Sequence, residues 1–376
     1  MTTPTPTGTG MADPLRFHGD QETAPGLVDA AVNVRLPSPP AWLAARIAGA
    51  LTDLGAYPDP TAARRAVAAR HGRPDGEVLL TAGAAEAFVL LARALRPRRA
   101  VCVHPSFTEP EAALAAAGVP VERAVLAPPF RLGDLDLDRL VPADADLVVL
   151  GNPTNPTSVL HRADTVARLA RPGRVLVVDE AFADFTPGEP ESLAARRDVP
   201  GLVVVRSLTK MWGLAGLRVG YLLAAPDVVE ACAAVQPAWS VSTPALVAAE
   251  ACSSPDAVAE ADAAARRLSD AGRRFAERLA AVPGVEVAPP AGPYVLVRVR
   301  RGNAVRTRMR ELGVAVRRCD TFPGLSEDWL RLAVRDNGSD ETVAGALEQA
   351  VRELDDEAPS GGRPLVGAGR AASREN

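Results

Sequence analysis

Along the chain, short runs of branched apolar residues alternate with longer stretches of helical text from about Ala41 onward. The runs AVCVH (100–104), DLVVL (146–150), RVLVVDE (174–180), LVVVR (202–206) and RVGYLL (218–223) predict strands. The stretches AWLAARIAGALTDL (41–54) and GAAEAFVLLARAL (83–95) predict helices, the second opening on small residues. Nearly continuous apolar strands are covered on both faces, and helical text between them implies a mostly parallel sheet. In such sheets a ligand sits at the carboxyl ends of the strands.

The pattern changes after about residue 225. An Ala/Arg-rich helical stretch over roughly 244–282 leads to VEVAPPAGPYVLVRVR, LGVAVRRC and LRLAVR, which predict a smaller α+β domain. The expected organisation is a leader (1–14), an N-terminal arm (15–40), a large domain (41–230), a small C-terminal domain (231–354) and a tail (355–376). The leader and the Gly/Ser/Pro-rich tail are expected to be disordered, and Met11 stands as an alternative start.

Composition narrows the function classes. The chain has 376 residues, 47% of them hydrophobic, enough for a substantial core and two domains. A net charge of −4 argues against a nucleic-acid binder, which needs a basic face. No apolar run reaches the length of a membrane span, and MTTPTPTGTG lacks the pattern of a secretory signal. Cys102, Cys232, Cys252 and Cys319 are far apart, so neither a metal site nor a disulfide framework is indicated. A cytoplasmic protein is expected.

One residue count changes the picture. Of 42 Lys plus Arg, a single one is Lys: Lys210, in SLTKMWGLAGLR. Arg stays protonated, whereas a desolvated Lys can lose its proton and become a nucleophile that condenses with an aldehyde. Other polar residues stand at predicted strand ends. Asp179 ends VLVVD, and the loop GNPTNPTS (151–158) with Asn155 follows DLVVL. Ser207 and Arg218 flank Lys210, and TAGAAE (81–86) opens a helix whose N–H groups can approach an anion. Alone, Asp179 is equally a solvated loop acid and the Asn/Pro loop equally an ordinary turn. Together they match the needs of pyridoxal phosphate. Lys210 would be the amine for its aldehyde, Asp179 the partner of its ring nitrogen, and Asn155 the donor to its ring oxygen. Ser207, Arg218 and the backbone at Ala84 and Ala85 would hold its phosphate, and Phe107 would lie against the ring.

The stretch S-x-x-K-x-x-G-x-x-G-x-R-x-G, Ser207 to Gly220, resembles the lysine signature of class I/II aminotransferases, which are fold type I pyridoxal phosphate enzymes. The order and spacing of Asn155, Asp179 and Lys210 fit that family too. Within it, roughly residues 16–350 most resemble the threonine-phosphate decarboxylases of cobalamin biosynthesis, through FHGD, AVNVR, YPDP, VVDEAFADF, QPAWSV and CDTFPGLSEDWLRLAVR. Histidinol-phosphate aminotransferases are similar as well, with Tyr where this chain has Phe182. Phe182 cannot donate a hydrogen bond to the ring oxygen, an interaction of about 1 kcal/mol.

The resemblance implies a homodimer in which Tyr57 reaches the partner's site. It implies Arg331 as a carboxylate clamp, Arg317 as a second substrate contact, and Asn33, on a short strand, and His18 as substrate contacts, with Asn155 serving both ligands. Two departures lie in the arm. The family's His-Gly-Gly-Asn is His18-Gly19-Asp20-Gln21 here, and its Asn-Pro is Arg35-Leu36-Pro37, a change that would add a cation to the site. The leading expectation is decarboxylation of a phosphorylated amino acid such as threonine phosphate. Transamination is the alternative, and a non-catalytic effector-binding domain is a third.

Overall fold

The computed structural model describes residues 13–335 and 337–356. The leader and tail expected from the sequence therefore lie outside the described residues, except for Asp13, Pro14, Asp355 and Asp356. The last two end the closing helix, Ser339–Asp356.

Twelve strands form two sheets among the described residues. In chain order they are β1 (Val28–Ala30), β2 (Val78–Thr81), β3 (Ala100–His104), β4 (Val121–Val125), β5 (Leu147–Gly151), β6 (Val175–Asp179), β7 (Leu202–Ser207), β8 (Gly220–Leu223), β9 (Val285–Val287), β10 (Tyr294–Val299), β11 (Val314–Arg318) and β12 (Trp329–Ala333). The larger sheet has the order β2-β8-β7-β6-β5-β3-β4. The class is α/β, as the alternation of strands and helices implies. Only β8 runs against its neighbours. Residues of β5 and β7 are buried throughout, which is why their text is apolar without alternation. The strand β4 is the exception, an edge strand with exposed Glu122 and Arg123. Its short and partly polar text hid it from the sequence reading.

The smaller sheet has the order β1-β11-β12-β10-β9. Its edge strand comes from near the start of the chain, with β1 parallel to β11 and Val28 opposite Val314. The other pairings are antiparallel.

Several boundaries differ from expectation for local reasons. The helical stretch 244–282 is two helices, Thr243–Cys252 and Pro255–Ala280. Pro255 lacks an N–H and so starts a new helix, and Ser254 caps it by accepting from Ala257 N at 3.3 Å. The helix from Ala41 ends at Gly49 and tightens into a 3-10 turn, Ala50–Asp53. Asn33 lies beyond the end of β1 rather than on a strand. Strand β8 begins at Gly220 because Arg218 takes a left-handed backbone, φ 59°.

Candidate active site

The parallel strands β5, β6 and β7 finish at one edge of the large sheet and deliver polar residues there. The reversed β8 begins at that same edge, so Arg218, just before it, joins them; Gly220 pairs with both Ser207 and Thr81. After β2 the chain turns at Gly83 into the helix Ala84–Leu95. Gly83 has φ +81°, and a Cβ there would meet Arg218 Nη2 at 2.6 Å. A Cβ on Gly220 would meet the amide of Ala84 at 2.9 Å. The two glycines thus let a guanidinium and the open N–H groups of a helix start approach one space.

That space is a cavity of about 550 Å³ between the two sheets. Ala84, Ala85, Phe107, Asn155, Asp179, Ser207, Lys210 and Arg218 line it from the large sheet, and His18, Asn33, Arg317 and Arg331 line it from the arm and the small sheet. Of the ligand-binding residues expected from sequence, Tyr57 lies elsewhere. It is 74% exposed and stacks on Trp239, with ring centroids 4.1 Å apart. Arg35 does not line the cavity either. It is turned to the lysine loop, its amide donating to Lys210 O and its Nε to Met211 O, both at 2.9 Å. That corrects the expectation that Arg35 adds a cation to the site.

The electrostatics suit a nucleophilic amine. Burial, with Arg218 and Arg331 nearby, pushes Lys210 down to about 8, against the pull of Asp179. Burial pushes Asp179 up to about 6, opposed by the Ala181 N–H that its Oδ1 accepts at 3.0 Å and by Lys210. Ser207 Oγ lies 2.7 Å from Thr209 Oγ1, and both residues line the cavity together with Ala84 and Ala85 of the helix start. Thr209 lines the cavity and was missed, although it adjoins Lys210 in the chain.

The opposite wall is dominated by two arginines that are direct register partners across β11 and β12. Arg331 Nη1 donates to Asn155 Oδ1 and Nη2 to Ala31 O, each at 2.5 Å, while its buried Nε has no partner. Arg317 Nη2 donates to Phe17 O and Thr321 Oγ1, both at 2.7 Å, and its guanidinium lies 4.8 Å from the Phe322 ring centroid. Burial foremost, and Arg331 beside it, push Arg317 down to about 10. Asn33 is 5% exposed, and neither its Oδ1 nor its Nδ2 has a partner. Buried polar groups are rarely left unpaired, so this wall is shaped for something that supplies partners. Phe182 packs edge-on against Tyr294, whose hydroxyl donates to Thr154 O at 3.1 Å.

The residues fit pyridoxal phosphate. One amine stands near a buried carboxylate, a helix start is cleared of side chains, and two hydroxyls and an arginine converge on it. Fold and cavity define a pyridoxal phosphate enzyme of the fold type I class. The family described as aminotransferase class I and II matches residues 29–349, and the chain belongs to it. Its cofactor is pyridoxal phosphate. Over 323 residues it is 50% identical to a histidinol-phosphate aminotransferase of Mycobacterium bovis, covering 85% of this chain and 87% of that one. It is 32% identical to the threonine-phosphate decarboxylase of Salmonella typhimurium over 86% of this chain and 91% of that one. Among solved structures it resembles the histidinol-phosphate aminotransferase of Clostridium acetobutylicum (TM-score 0.79, 25% identity). It also resembles the L-threonine-O-3-phosphate decarboxylase of Porphyromonas gingivalis (TM-score 0.77, 26% identity). Each covers 87% of this chain and 100% of the other. No helix among the described residues is long and apolar enough to cross a membrane.

Proposed function

We propose that the enzyme acts at the α-carbon of a short amino acid bearing both a carboxylate and a phosphate, threonine phosphate being the first candidate, and that it removes the carboxyl group. The observation that carries this is the register pairing of Arg317 and Arg331, both buried in one cavity. Two adjacent guanidiniums suit two anionic groups on neighbouring carbons. Histidinol phosphate, an amino alcohol, offers only one.

When bound, pyridoxal phosphate supplies an electron sink for a bond broken at the α-carbon. Lys210 would hold its aldehyde and afterwards carry the proton to and from that carbon. Asp179 would keep the ring nitrogen protonated. Asn155 Oδ1 is taken by Arg331, which leaves Nδ2 to donate to the ring oxygen. The Ala84 and Ala85 amides, Ser207 and Arg218 would hold the phosphate, with Phe107 against the ring. Arg331 would clamp the substrate carboxylate, while Arg317, Asn33 and His18 meet its phosphate. Holding both ends would fix the orientation of the α-carbon in the cavity and so choose which of its bonds breaks. In a decarboxylation the carboxyl group would leave as carbon dioxide, and Lys210 would deliver the proton that takes its place.

A second reading, transamination, is favoured by the 50% identical relative and by glutamate, whose two carboxylates also suit two arginines. The test is to incubate holoenzyme with O-phosphothreonine alone, and separately with histidinol phosphate and 2-oxoglutarate. Carbon dioxide and an aminoalcohol phosphate from the first mixture support decarboxylation; glutamate from the second, without carbon dioxide from the first, overturns it. We also infer a homodimer, because Tyr57, Trp239, Leu51 and Leu54 are exposed in one chain and Tyr57 lies outside its own cavity. Sedimentation across a dilution series tests it, and an active monomer is the adverse result.

A further inference from the structure

A cluster of charge at the mouth of the cavity enters the chemistry above only through His18; Glu109 and Arg16 have no part in it. Glu109 opens the helix Glu109–Ala116, which follows β3 of the large sheet. Its Oε1 lies 2.7 Å from His18 Nε2, and its Oε2 accepts from Arg16 Nη1 at 2.8 Å. Thr108 Oγ1, next to it, donates to Leu15 O at 2.7 Å. The same N-terminal segment is gripped from the other side by the small sheet. Phe17 O accepts from Arg317, whose guanidinium lies 4.6 Å from the Phe17 ring centroid. Buried Glu22 accepts from Arg306 Nη1 at 2.7 Å and from the Arg318 amide at 3.2 Å. Gly19 passes so close to Ala31 O that a Cβ would lie 2.6 Å from it.

Residues 15–22 therefore run across the cavity from one sheet to the other, and Phe17, His18, Gly19 and Asp20 form part of its wall. On the large-sheet side, among the described residues, the side-chain ion pairs that hold this strap end on one carboxylate, Glu109. The Glu109 side chain is 13% exposed, so solvent ions screen its pairs less than they screen surface pairs. The hydrogen bond from His18 foremost, and the charge of Arg16, hold its carboxyl below the usual range.

We propose that Glu109 is a positioning residue that latches the strap 15–22 to the large sheet and holds His18 at the mouth, where it meets the distal anion of the substrate. The substrate half rests on the phosphorylated-substrate reading; the latch itself does not. Without the latch, His18 would sit on a tethered but mobile segment, and the enzyme would order it anew with each substrate. The effect belongs to binding rather than to bond breaking, because the hydrogen bonds and ion pairs of the Glu109 carboxylate go to His18 and Arg16 and not to Lys210, Asp179 or Asn155.

Arg16 is the first basic residue of the chain, so tryptic cleavage after it releases a single N-terminal fragment that mass spectrometry identifies. Holoenzyme would be compared as wild type, Glu109→Gln, His18→Gln and the double variant, by initial cleavage rate at Arg16 and by KM and kcat with O-phosphothreonine. Glu109→Gln is expected to cleave about tenfold faster and to raise KM about tenfold with kcat within about twofold, the size of one lost charge-assisted contact. His18→Gln, at a partly exposed site, should raise KM similarly, and the double variant should add little. Unchanged cleavage and KM in Glu109→Gln, or additive losses in the double variant, overturn the proposal. Should wild type not turn over O-phosphothreonine, the substrate reading fails while the cleavage rates still decide the latch.

Discussion

The wall of the cavity built by the large sheet and the wall built by the small sheet differ in how far apart their residues lie in the chain. Asn155, Asp179, Ser207, Lys210 and Arg218 follow one another along the chain, and the parallel pairing of β5, β6 and β7, with β8 reversed beside β7, brings them to one edge. On the other wall, Arg331 meets Ala31 and Arg317 meets Phe17, partners 300 positions apart. That wall exists only once β1 has paired with β11. The comparison teaches that the cofactor side is specified by local order repeated along a regular sheet, whereas the substrate side is specified by chain closure. The first can stay the same while the second varies, which suits a family whose members share a cofactor and differ in substrate.

The largest break in that comparison falls on the cofactor wall. Lys210→Ala is expected to abolish reducible attachment of pyridoxal phosphate and all measurable turnover, since the chain holds no other Lys. Borohydride reduction followed by peptide mass analysis checks it, and label on any other residue would undo the assignment of the whole wall.

On the substrate wall the expected losses are smaller and separable. Removing a charge-assisted hydrogen bond costs about 1.5–3 kcal/mol, roughly ten- to a hundredfold. Arg331→Ala should weaken threonine and O-phosphothreonine alike, whereas Arg317→Ala should weaken O-phosphothreonine selectively. Spectral titration of both ligands reads this directly. Equal losses for both ligands in Arg317→Ala would remove its phosphate role.

A glycine pair sharpens the contrast between a strained turn and a strained turn in the site. Gly83 and Gly26 both have positive φ, +81° and +86°, but only Gly83 faces Arg218. Each Ala substitution introduces strain of about 1–3 kcal/mol. Gly83→Ala should weaken cofactor affinity about tenfold or more, while Gly26→Ala should lower thermal stability and leave that affinity alone. Equilibrium dialysis of both variants tests this, and equal affinities would detach the Gly83 turn from the cradle.

The smallest effect is one of pH on cofactor capture by apoenzyme. The Lys210 amine, pushed down to about 8, is neutral and nucleophilic above that value and protonated below it. Going from pH 8 to 7 should therefore slow attachment about fivefold. Asp179, pushed up to about 6, is charged above that value, so its hold on the ring nitrogen should fade as pH drops through 6. Stopped-flow absorbance of the attachment step measures both, and a flat profile between pH 6 and 8 would contradict the burial of Lys210.

Much of the large sheet was legible because each strand is short, branched and buried on both faces, as in LVVVRS of β7. The strand β4 was not, because an edge strand can carry charges such as Glu122 and Arg123. The break at Ser253–Pro255 was legible in principle from a serine cap and a proline, yet the surrounding Ala-rich text masks it. Thr209 went unseen because a hydroxyl next to a lysine carries no pattern, and Glu109 because its partners, Arg16 and His18, are some ninety positions away.

The sequence by itself determined the cofactor chemistry, through one lysine among arginines and through the order of Asn155, Asp179 and Ser207 at strand ends. Spacing suffices there because a parallel sheet converts order in the chain into position along one edge. Only the tertiary structure decided that Arg317 and Arg331 stand side by side, that Arg35 serves the lysine loop instead of the cavity, and that residues 15–22 bridge its mouth. These depend on contacts between distant segments, whose register is set by packing and burial rather than by any local preference of the residues that make them.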